Sequence, residues 1–290
     1  MSKIQSFIHL EVCIDRELRD RCSEVLWELG TLGFEETSLG DAQLKIAAYF
    51  PQDQPADDLR AAFLSALGST GCQTLSCSVE SMECDPNDWV VEYSKSFQAF
   101  NIGRDYFIYP SWSSPNPDYP INLQLDPGHG FGTGTHESTQ LVLLTLPKVL
   151  QNAESLLDVG TGSGILTIAA RKLAPGLQVT ACDVDGLALE SAEENLRQNS
   201  IAGVQLLPGG PAVISGQFDV VLANLTCNIL RRIDTDLVRL TARDLIVSGF
   251  TEDQVELVVE CFCKQHPFRV EQQVESNGWV CLHLQQWPLS

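Results

Sequence analysis

One segment, LLDVGTGSGILTIAA from Leu156 to Ala170, restricts the fold more than any other part of the chain. An apolar run typical of a buried strand is followed by glycines in the pattern GxGxG and then by a helical run. Such a turn lets a ligand approach the backbone and the helix N-terminus. The dinucleotide fingerprint GxGxxG would need glycine at position 165, where this chain has Ile165. The spacing therefore favours a nucleoside ligand without a pyrophosphate.

From about residue 121 the pattern of the chain alternates between strands and helices. Strands are predicted at Ser155–Val159, Val179–Asp183, Val204–Leu207, Phe218–Ala223 and Asp244–Ser248. Helices are predicted at Ile165–Leu173, Leu187–Asn199, Asn228–Leu240 and Glu252–Lys264. This alternation predicts an α/β fold with a Rossmann-like parallel sheet, covered by helices on both faces. Two final strands around Asn277–Gly278, a type I′ turn signal, would add an antiparallel pair.

The first 84 residues have a different pattern, in the order β-α-β-β-α-β. That order is typical of a small α+β ferredoxin-like module. Residues 85–120 are less regular, with a candidate helix at Pro86–Phe97 and a proline-rich loop, and we interpret them as a connector. The predicted organisation is therefore a ferredoxin-like domain at 1–84, a connector at 85–120 and an α/β domain at 121–290.

Two polar side chains follow predicted strands of the α/β domain. Asp183 closes its strand 23 residues after Gly160, where a carboxylate can accept two hydrogen bonds from a ribose diol. Asp185 is better suited to cap the helix that begins near Leu187. Asn224 follows an apolar strand at the sheet edge where ligands bind, and its amide offers both a donor and an acceptor. Its simpler role would be turn-making or capping.

A second glycine-rich segment, DPGHGFGTGTHEST from Asp126 to Thr139, has four glycines among its fourteen residues. Glycine at this density disfavours a core strand or a regular helix and suits a loop laid closely over a polar ligand. Two glycine-rich loops this close together suggest one ligand held from two sides. His129, His136 and Glu137 match no zinc pattern, and the chain has neither a GxSxG elbow nor a P-loop.

The chain carries a formal net charge of −20, with −8 in residues 1–84 and −12 in the remainder. Neither part forms a segregated basic region, which argues against direct binding of nucleic acid. The acidic surface would attract a basic protein, although it could serve solubility alone. The chain has ten cysteines and no recognisable secretory leader, which predicts a cytoplasmic protein with reduced thiols. It also has no apolar run of about 18 residues, so we expect no membrane contact. We expect a monomer.

Taken together, several motifs resemble the ribosomal protein L11 methyltransferases, the PrmA family. They are DPGHGFGTGTHEST, LLDVGTGSGILTIAA, ACDVDGLALESAEENLRQN, VVLANLTCNIL and IVSGF, and the resemblance covers roughly residues 86 to 286. The first motif is much more specific than the glycine loop shared by many methyltransferases. The resemblance implies a class I methyltransferase domain that uses S-adenosylmethionine (SAM), preceded by a ferredoxin-like domain that recognises the substrate.

The resemblance also implies site residues. Thr139, Gly160, Asp183 and Asn224 would contact SAM, with Asp183 on the ribose hydroxyls and Gly162 shaping the loop around the methionine part. The segment Phe131–His136 would lie over the methyl donor. The implied reaction methylates amino groups of ribosomal protein L11, namely lysine side chains and the N-terminal amine. No metal is implied.

Two other functions stay open at this point. A methyltransferase of the same fold could act on lysine or glutamine of another protein. However, Asn224–Leu225 lacks the NPPY sequence typical of amide and adenine methylation. A non-catalytic SAM-binding protein involved in ribosome assembly is the second alternative, and the intact set of cofactor residues argues against it.

Overall fold

The computed structural model describes residues 5–31, 33–40, 42–51, 55–68, 76–84, 98–126 and 134–287. The chain divides into two compact units, Met1–Ser96 and Phe97–Ser290. The predicted connector, residues 85–120, spans this division. Its first part, including the predicted helix at Pro86–Phe97, lies outside the described residues, and residues 98–120 belong to the second unit.

Within its described residues, the first unit contains a four-stranded antiparallel sheet and two α-helices. Its elements are β1 (Gln5–Asp15), α1 (Arg19–Glu28), β2 (Gly33–Ser38), β3 (Gln43–Pro51), α2 (Ala56–Gly68) and β4 (Ser76–Cys84). The strand order is β2-β3-β1-β4, which is the ferredoxin-like arrangement predicted from the sequence. Along β1, residues 8, 10, 12 and 14 alternate into the core, as one face of a half-buried strand does.

The second unit contains a small three-stranded sheet and a large seven-stranded one. The small sheet consists of β5 (Phe100–Ile102), β6 (Tyr106–Tyr109) and β7 (Ile121–Gln124). The strands of the large sheet are β8 (Ser155–Val159), β9 (Gln178–Asp183), β10 (Gln205–Pro208), β11 (Phe218–Asn224), β12 (Thr241–Thr251), β13 (Phe268–Ser276) and β14 (Trp279–Gln286). The helices are α3 (Glu137–Val149), α4 (Ile165–Leu173), α5 (Gly186–Gln198), α6 (Cys227–Arg232), α7 (Asp234–Leu240) and α8 (Val255–Val259).

The large sheet has the order β10-β9-β8-β11-β12-β14-β13. The first five strands are parallel, and β14 and β13 continue the sheet in antiparallel pairing, as the sequence predicted. Successive side chains of β11 face opposite sides: Val220 and Leu222 join one hydrophobic core, and Val221 and Ala223 join the other. Helices α3, α4 and α5 pack in the first core, and α6, α7 and α8 pack in the second. The predicted Rossmann-like α/β fold is confirmed.

The small sheet packs into the same core as α3 and α4. Tyr106 is fully buried there, and its hydroxyl donates a hydrogen bond of 2.8 Å to the carbonyl oxygen of Leu143 on α3. Lys172, near the end of α4, donates to the carbonyl of Asn122 on β7. These hydrogen bonds attach β6 to α3 and β7 to α4, and β7 leads into the segment that begins at Asp126.

Two helix predictions were wrong in detail. The single helix expected at Asn228–Leu240 is two short helices, because the backbone of Ile233 leaves the helical conformation and Asp234 begins a new turn. The helix expected at Glu252–Lys264 consists of a short 3₁₀ turn, α8 and a wider π segment at Glu260–Lys264. Across the described segments, no helix is both long and apolar enough to cross a membrane.

Candidate active site

The site lies at the carboxyl ends of the neighbouring strands β9, β8 and β11. Val159 pairs with Cys182 on one side and with Ala223 on the other, so the residues that follow these three positions come together. They are Gly160, Asp183 and Asn224. The backbone N–H of Gly160 donates to the carbonyl oxygen of Cys182 at 2.9 Å, which continues the sheet into the turn. This edge is where open parallel sheets bind their ligands.

The turn between β8 and α4 depends on glycine at alternate positions. Gly160, Gly162 and Gly164 have φ angles of +72°, +54° and +80°, in the left-handed region that other residues rarely adopt. An added side chain would also be crowded at two of them. A Cβ on Gly160 would lie 2.6 Å from Cδ2 of Leu225, and one on Gly164 would lie 3.3 Å from the Cα of Ala192 on α5. The GxGxG pattern therefore reflects both backbone conformation and close packing.

The carboxylate of Asp183 holds this turn. Its Oδ2 accepts a hydrogen bond of 2.9 Å from the backbone N–H of Gly162, and its Oδ1 accepts one of 3.0 Å from the N–H of Asp185. Two carboxylate oxygens offer about four lone-pair sites, so capacity for ligand hydroxyls remains. The predicted capping role of Asp185 is confirmed, since its side chain accepts from the N–H of Leu187 at 2.9 Å.

Thr139 and Asn224 form a direct contact although 85 positions separate them in the chain. The Asn224 side-chain amide donates to the hydroxyl of Thr139 at 3.0 Å, and Thr139 is only 1% exposed. The other end of the Asn224 amide, Oδ1, is buried and has no hydrogen-bond partner among the residues that the structure describes. A buried acceptor left without a partner is costly, so this oxygen could accept a hydrogen bond from a bound ligand. Of the loop at residues 126–139, positions 127–133 lie outside the described residues.

His136 contributes to the structure of the same loop. It is the N-cap of α3, where its Nδ1 accepts a hydrogen bond of 3.2 Å from the backbone N–H of Ser138 and lies 2.7 Å from the Ser138 hydroxyl. Its ring packs edge-on against Trp279, with the ring centroids 4.3 Å apart. A search of the described residues finds no group of three or more His, Cys, Asp or Glu side chains that could hold a metal ion.

Asp158, which the sequence argument missed, lies beneath the glycine turn. Its side chain is 1% exposed, and its Oδ2 accepts hydrogen bonds from the hydroxyls of Thr161 at 2.7 Å and Thr167 at 2.8 Å. Burial raises the pKa of this carboxyl to about 6, and the negative charge of Asp183 adds to the rise, while the two threonine hydroxyls oppose it. The carboxylate thus ties the turn to the first helical turn of α4. Its position two residues before Gly160, at the end of the predicted strand, was the available signal.

The helix after β9 also supports the turn. Asn195 on α5 is buried, and its amide donates to the carbonyl oxygen of Ser163 at 2.9 Å. The sequence offered no signal for this contact, because an asparagine within a helical pattern normally faces solvent. The five site residues predicted from the sequence lie in one region: Gly160, Gly162 and Asp183 are joined by the turn, and Thr139 and Asn224 by their hydrogen bond. Their roles toward a cofactor remain predictions.

Comparisons with known proteins agree with this geometry. The family model described as ribosomal protein L11 methyltransferase (PrmA) matches residues 6–287. A ribosomal protein L11 methyltransferase from Neisseria meningitidis is 38% identical over 242 residues, covering 83% of this chain and 79% of that protein. One from Streptococcus pyogenes is 31% identical over 291 residues and covers 89% of each chain.

A solved structure gives the same answer for the fold. The crystal structure of a ribosomal protein L11 methylase from Lactobacillus delbrueckii subsp. bulgaricus superimposes with a TM-score of 0.61 at 29% identity. The superposition covers 66% of this chain and 99% of the Lactobacillus chain. The resemblance noted from the motifs is confirmed, and the fold is that of a class I methyltransferase. The chain belongs to the ribosomal protein L11 methyltransferase (PrmA) family.

Proposed function

We propose that the protein transfers methyl groups from SAM to amino groups of ribosomal protein L11. Membership of the family supports the enzyme class, the cofactor and the substrate. The structural observation that carries the proposal is the hydrogen bond between Asn224 and Thr139. It brings Thr139, the last residue of the motif that is specific to this family, into contact with Asn224 at the carboxyl edge of the sheet, beside the glycine turn that we propose binds the nucleoside part of SAM.

The residues that would hold SAM are Thr139, Gly160, Gly162, Asp183 and Asn224. Four observations support the fit of this region to the cofactor. The turn has no side chain at Gly162, so a ligand can approach its backbone there. The Asp183 carboxylate has lone pairs left for the ribose hydroxyls, and the buried Oδ1 of Asn224 needs a donor. The two carboxylates of Asp158 and Asp183 suit a positively charged ligand.

When bound, SAM supplies a methyl group on a positively charged sulfur, and an amine attacks it in line. The contribution of the protein is to hold donor and acceptor in that alignment. A lysine amine must first lose its proton, which costs about 4–5 kcal/mol at neutral pH for a pKa near 10.4. Partial desolvation in the site lowers this cost, because burial disfavours the charged amine. Loss of the proton to water before binding suffices, so the proposal needs no general base.

The first unit and the charge of the surface also have roles in the proposed binding of the substrate. We propose that the ferredoxin-like unit recognises the ribosomal protein, since modules of this fold commonly present binding surfaces. A net charge of −20 would attract a basic protein and disfavour direct contact with RNA. A monomer acting in the cytoplasm is part of the same proposal.

The experiment is to incubate the protein with methyl-labelled SAM and purified ribosomal protein L11. We expect label on that protein, and we expect the Asp183→Ala variant to give much less of it at low SAM concentration. Label that appears on other proteins of a lysate but not on L11 would refute the substrate assignment. Failure of the wild-type protein to bind SAM at all would refute the enzyme assignment.

A further inference from the structure

The motif IVSGF at the end of β12 contains Ser248 and Gly249, which are not among the proposed SAM-binding residues. Gly249 has a φ angle of +93°. The antiparallel pairing of β12 with β14 shifts register between Ser248 and Phe250, so Gly249 is the extra residue of a β-bulge. Bulges are enriched beside active sites, where they redirect the chain. This bulge lies at the same sheet edge as Asn224, because Asn224 pairs with Ser248 in the parallel ladder.

Gly249 packs directly on the peptide that follows Asn224. A Cβ at this position would lie 2.6 Å from the carbonyl oxygen of Leu225, 2.8 Å from its carbonyl carbon and 2.9 Å from its nitrogen. All three are backbone atoms, so a larger residue at 249 could be accommodated only if the Leu225 peptide moved. The N–H of Leu225 also donates to the carbonyl oxygen of Ser248 at 2.9 Å. The bulge therefore holds the Leu225 peptide by a hydrogen bond and by close contact.

The side chain of Ser248 connects this corner to the loop that carries Thr139. Ser248 is fully buried, and its Oγ lies 2.8 Å from the carbonyl oxygen of Val280 and 3.3 Å from that of Ser138. The hydroxyl has one proton and donates to one of these acceptors at a time. Ser138 precedes Thr139, whose hydroxyl accepts from Asn224. Ser248 is therefore linked to Asn224 twice, through Ser138 and Thr139 on one side and through the Leu225 peptide on the other.

We propose that Ser248 and Gly249 form a positioning corner that holds the Leu225 peptide beside Asn224, so that the Leu225 carbonyl oxygen orients the methyl-accepting amine. This inference rests on the proposed function. The two residues are positioning residues and act through the Leu225 peptide. Displacing a positioning group by a fraction of an ångström reduces the rate of an in-line transfer more than it reduces cofactor binding.

The primary test compares Gly249→Ala with Gly216→Ala. Gly216 has nearly the same φ angle, +91°, but an added Cβ there meets nothing within 4 Å. Both variants place alanine at a similar positive φ angle, and only the first also pushes on the Leu225 peptide. We expect Gly249→Ala to lower kcat, per SAM-binding site, by about tenfold or more, while the Kd of SAM rises by about threefold or less. For Gly216→Ala, both values should stay within about twofold of the wild type.

A second pair keeps the inference testable if Gly249→Ala does not fold. Ser248→Ala removes the buried hydroxyl at the corner, and Thr241→Val removes one at the other end of β12, where the Thr241 hydroxyl donates to Leu237 at 2.7 Å. We expect kcat to fall by about threefold or more in Ser248→Ala. The Thr241→Val variant should lose stability and keep its kcat.

The outcomes separate the two proposals. If wild-type protein methylates L11 and both corner variants keep the wild-type kcat per SAM-binding site, the positioning role is overturned and the proposed function stands. Equal losses in kcat and in SAM affinity would mean a purely structural role and would also overturn it. If the wild-type protein binds SAM but transfers no methyl to L11, the proposed function fails and the corner inference fails with it.

Discussion

The buried carboxyl of Asp158 should make the stability of the α/β unit depend on pH in a predictable direction. Its pKa is raised by burial from the usual 3.8 to about 6. A raised carboxyl pKa means that the folded state binds the proton more tightly than the unfolded state does. The stabilisation is fully present below pH 3.8 and is lost as pH rises through about 6. The full loss is about 3 kcal/mol, from roughly two pKa units at 1.36 kcal/mol each.

The assay is urea unfolding of wild type and of Asp158→Asn at several pH values between 5 and 7.5. Asparagine does not titrate, so subtracting the two free energies of unfolding at each pH removes the contribution of other titrating groups. Over this range, wild type should lose about 1.4 kcal/mol relative to the variant, because the unfolded carboxyl is already mostly ionised at pH 5. A difference between the two proteins that stays constant with pH would refute the argument that Asp158 is a desolvated carboxylate.

Three further substitutions test the site. Thr139→Val removes the hydroxyl that accepts from Asn224, and titration calorimetry should show SAM binding weakened by about tenfold, which corresponds to one lost buried hydrogen bond. Asp183→Ala should weaken SAM binding by at least about tenfold in the same measurement, since it removes the proposed ribose acceptor and the bond to Gly162. Gly164→Ala should lower the free energy of unfolding by about 1–3 kcal/mol, because its φ is +80° and its Cβ would press on the backbone of Ala192.

Each of these substitutions has a matched control in the chain. Thr145→Val removes another buried hydroxyl from α3, one that donates to Leu141, and it should leave SAM affinity unchanged. Asp185→Ala removes the helix cap two residues after Asp183 and should cost stability only. Gly176→Ala adds a Cβ in open space and should be nearly neutral. Equal effects in a test variant and its control would contradict the role assigned to that residue.

Periodicity predicted the strands of the second unit well, because hydrophobic alternation and glycine turns are local signals. Periodicity failed where tertiary contacts determine the backbone conformation. Asp234 begins a new helix and its carboxylate lies 3.3 Å from the sulfur of Cys261 and 3.4 Å from His266, which are distant in sequence. The π segment at Glu260–Lys264 has no sequence signature that separates it from an ordinary helical turn.

The site was predictable to the extent that its residues follow strands. Asp183 and Asn224 could be found because parallel strands deliver their carboxyl ends to one edge. The contact of Asn224 with Thr139 could not be derived from spacing, since the loop between residue 126 and α3 has no periodic pattern. Gly249 gave only a weak signal, a lone glycine at the end of a strand, and its close approach to Leu225 emerged from the packing.

The central claim, that amino groups of ribosomal protein L11 receive the methyl groups, is tested most directly by mass spectrometry of that protein. Purified L11 would be incubated with SAM and the wild-type protein, and its peptides sequenced to locate each added methyl group. The proposal predicts mass increases in whole methyl steps, located on lysine side chains or on the N-terminal amine. An unmodified L11, or methyl groups found only on side chains without an amino group, would contradict it.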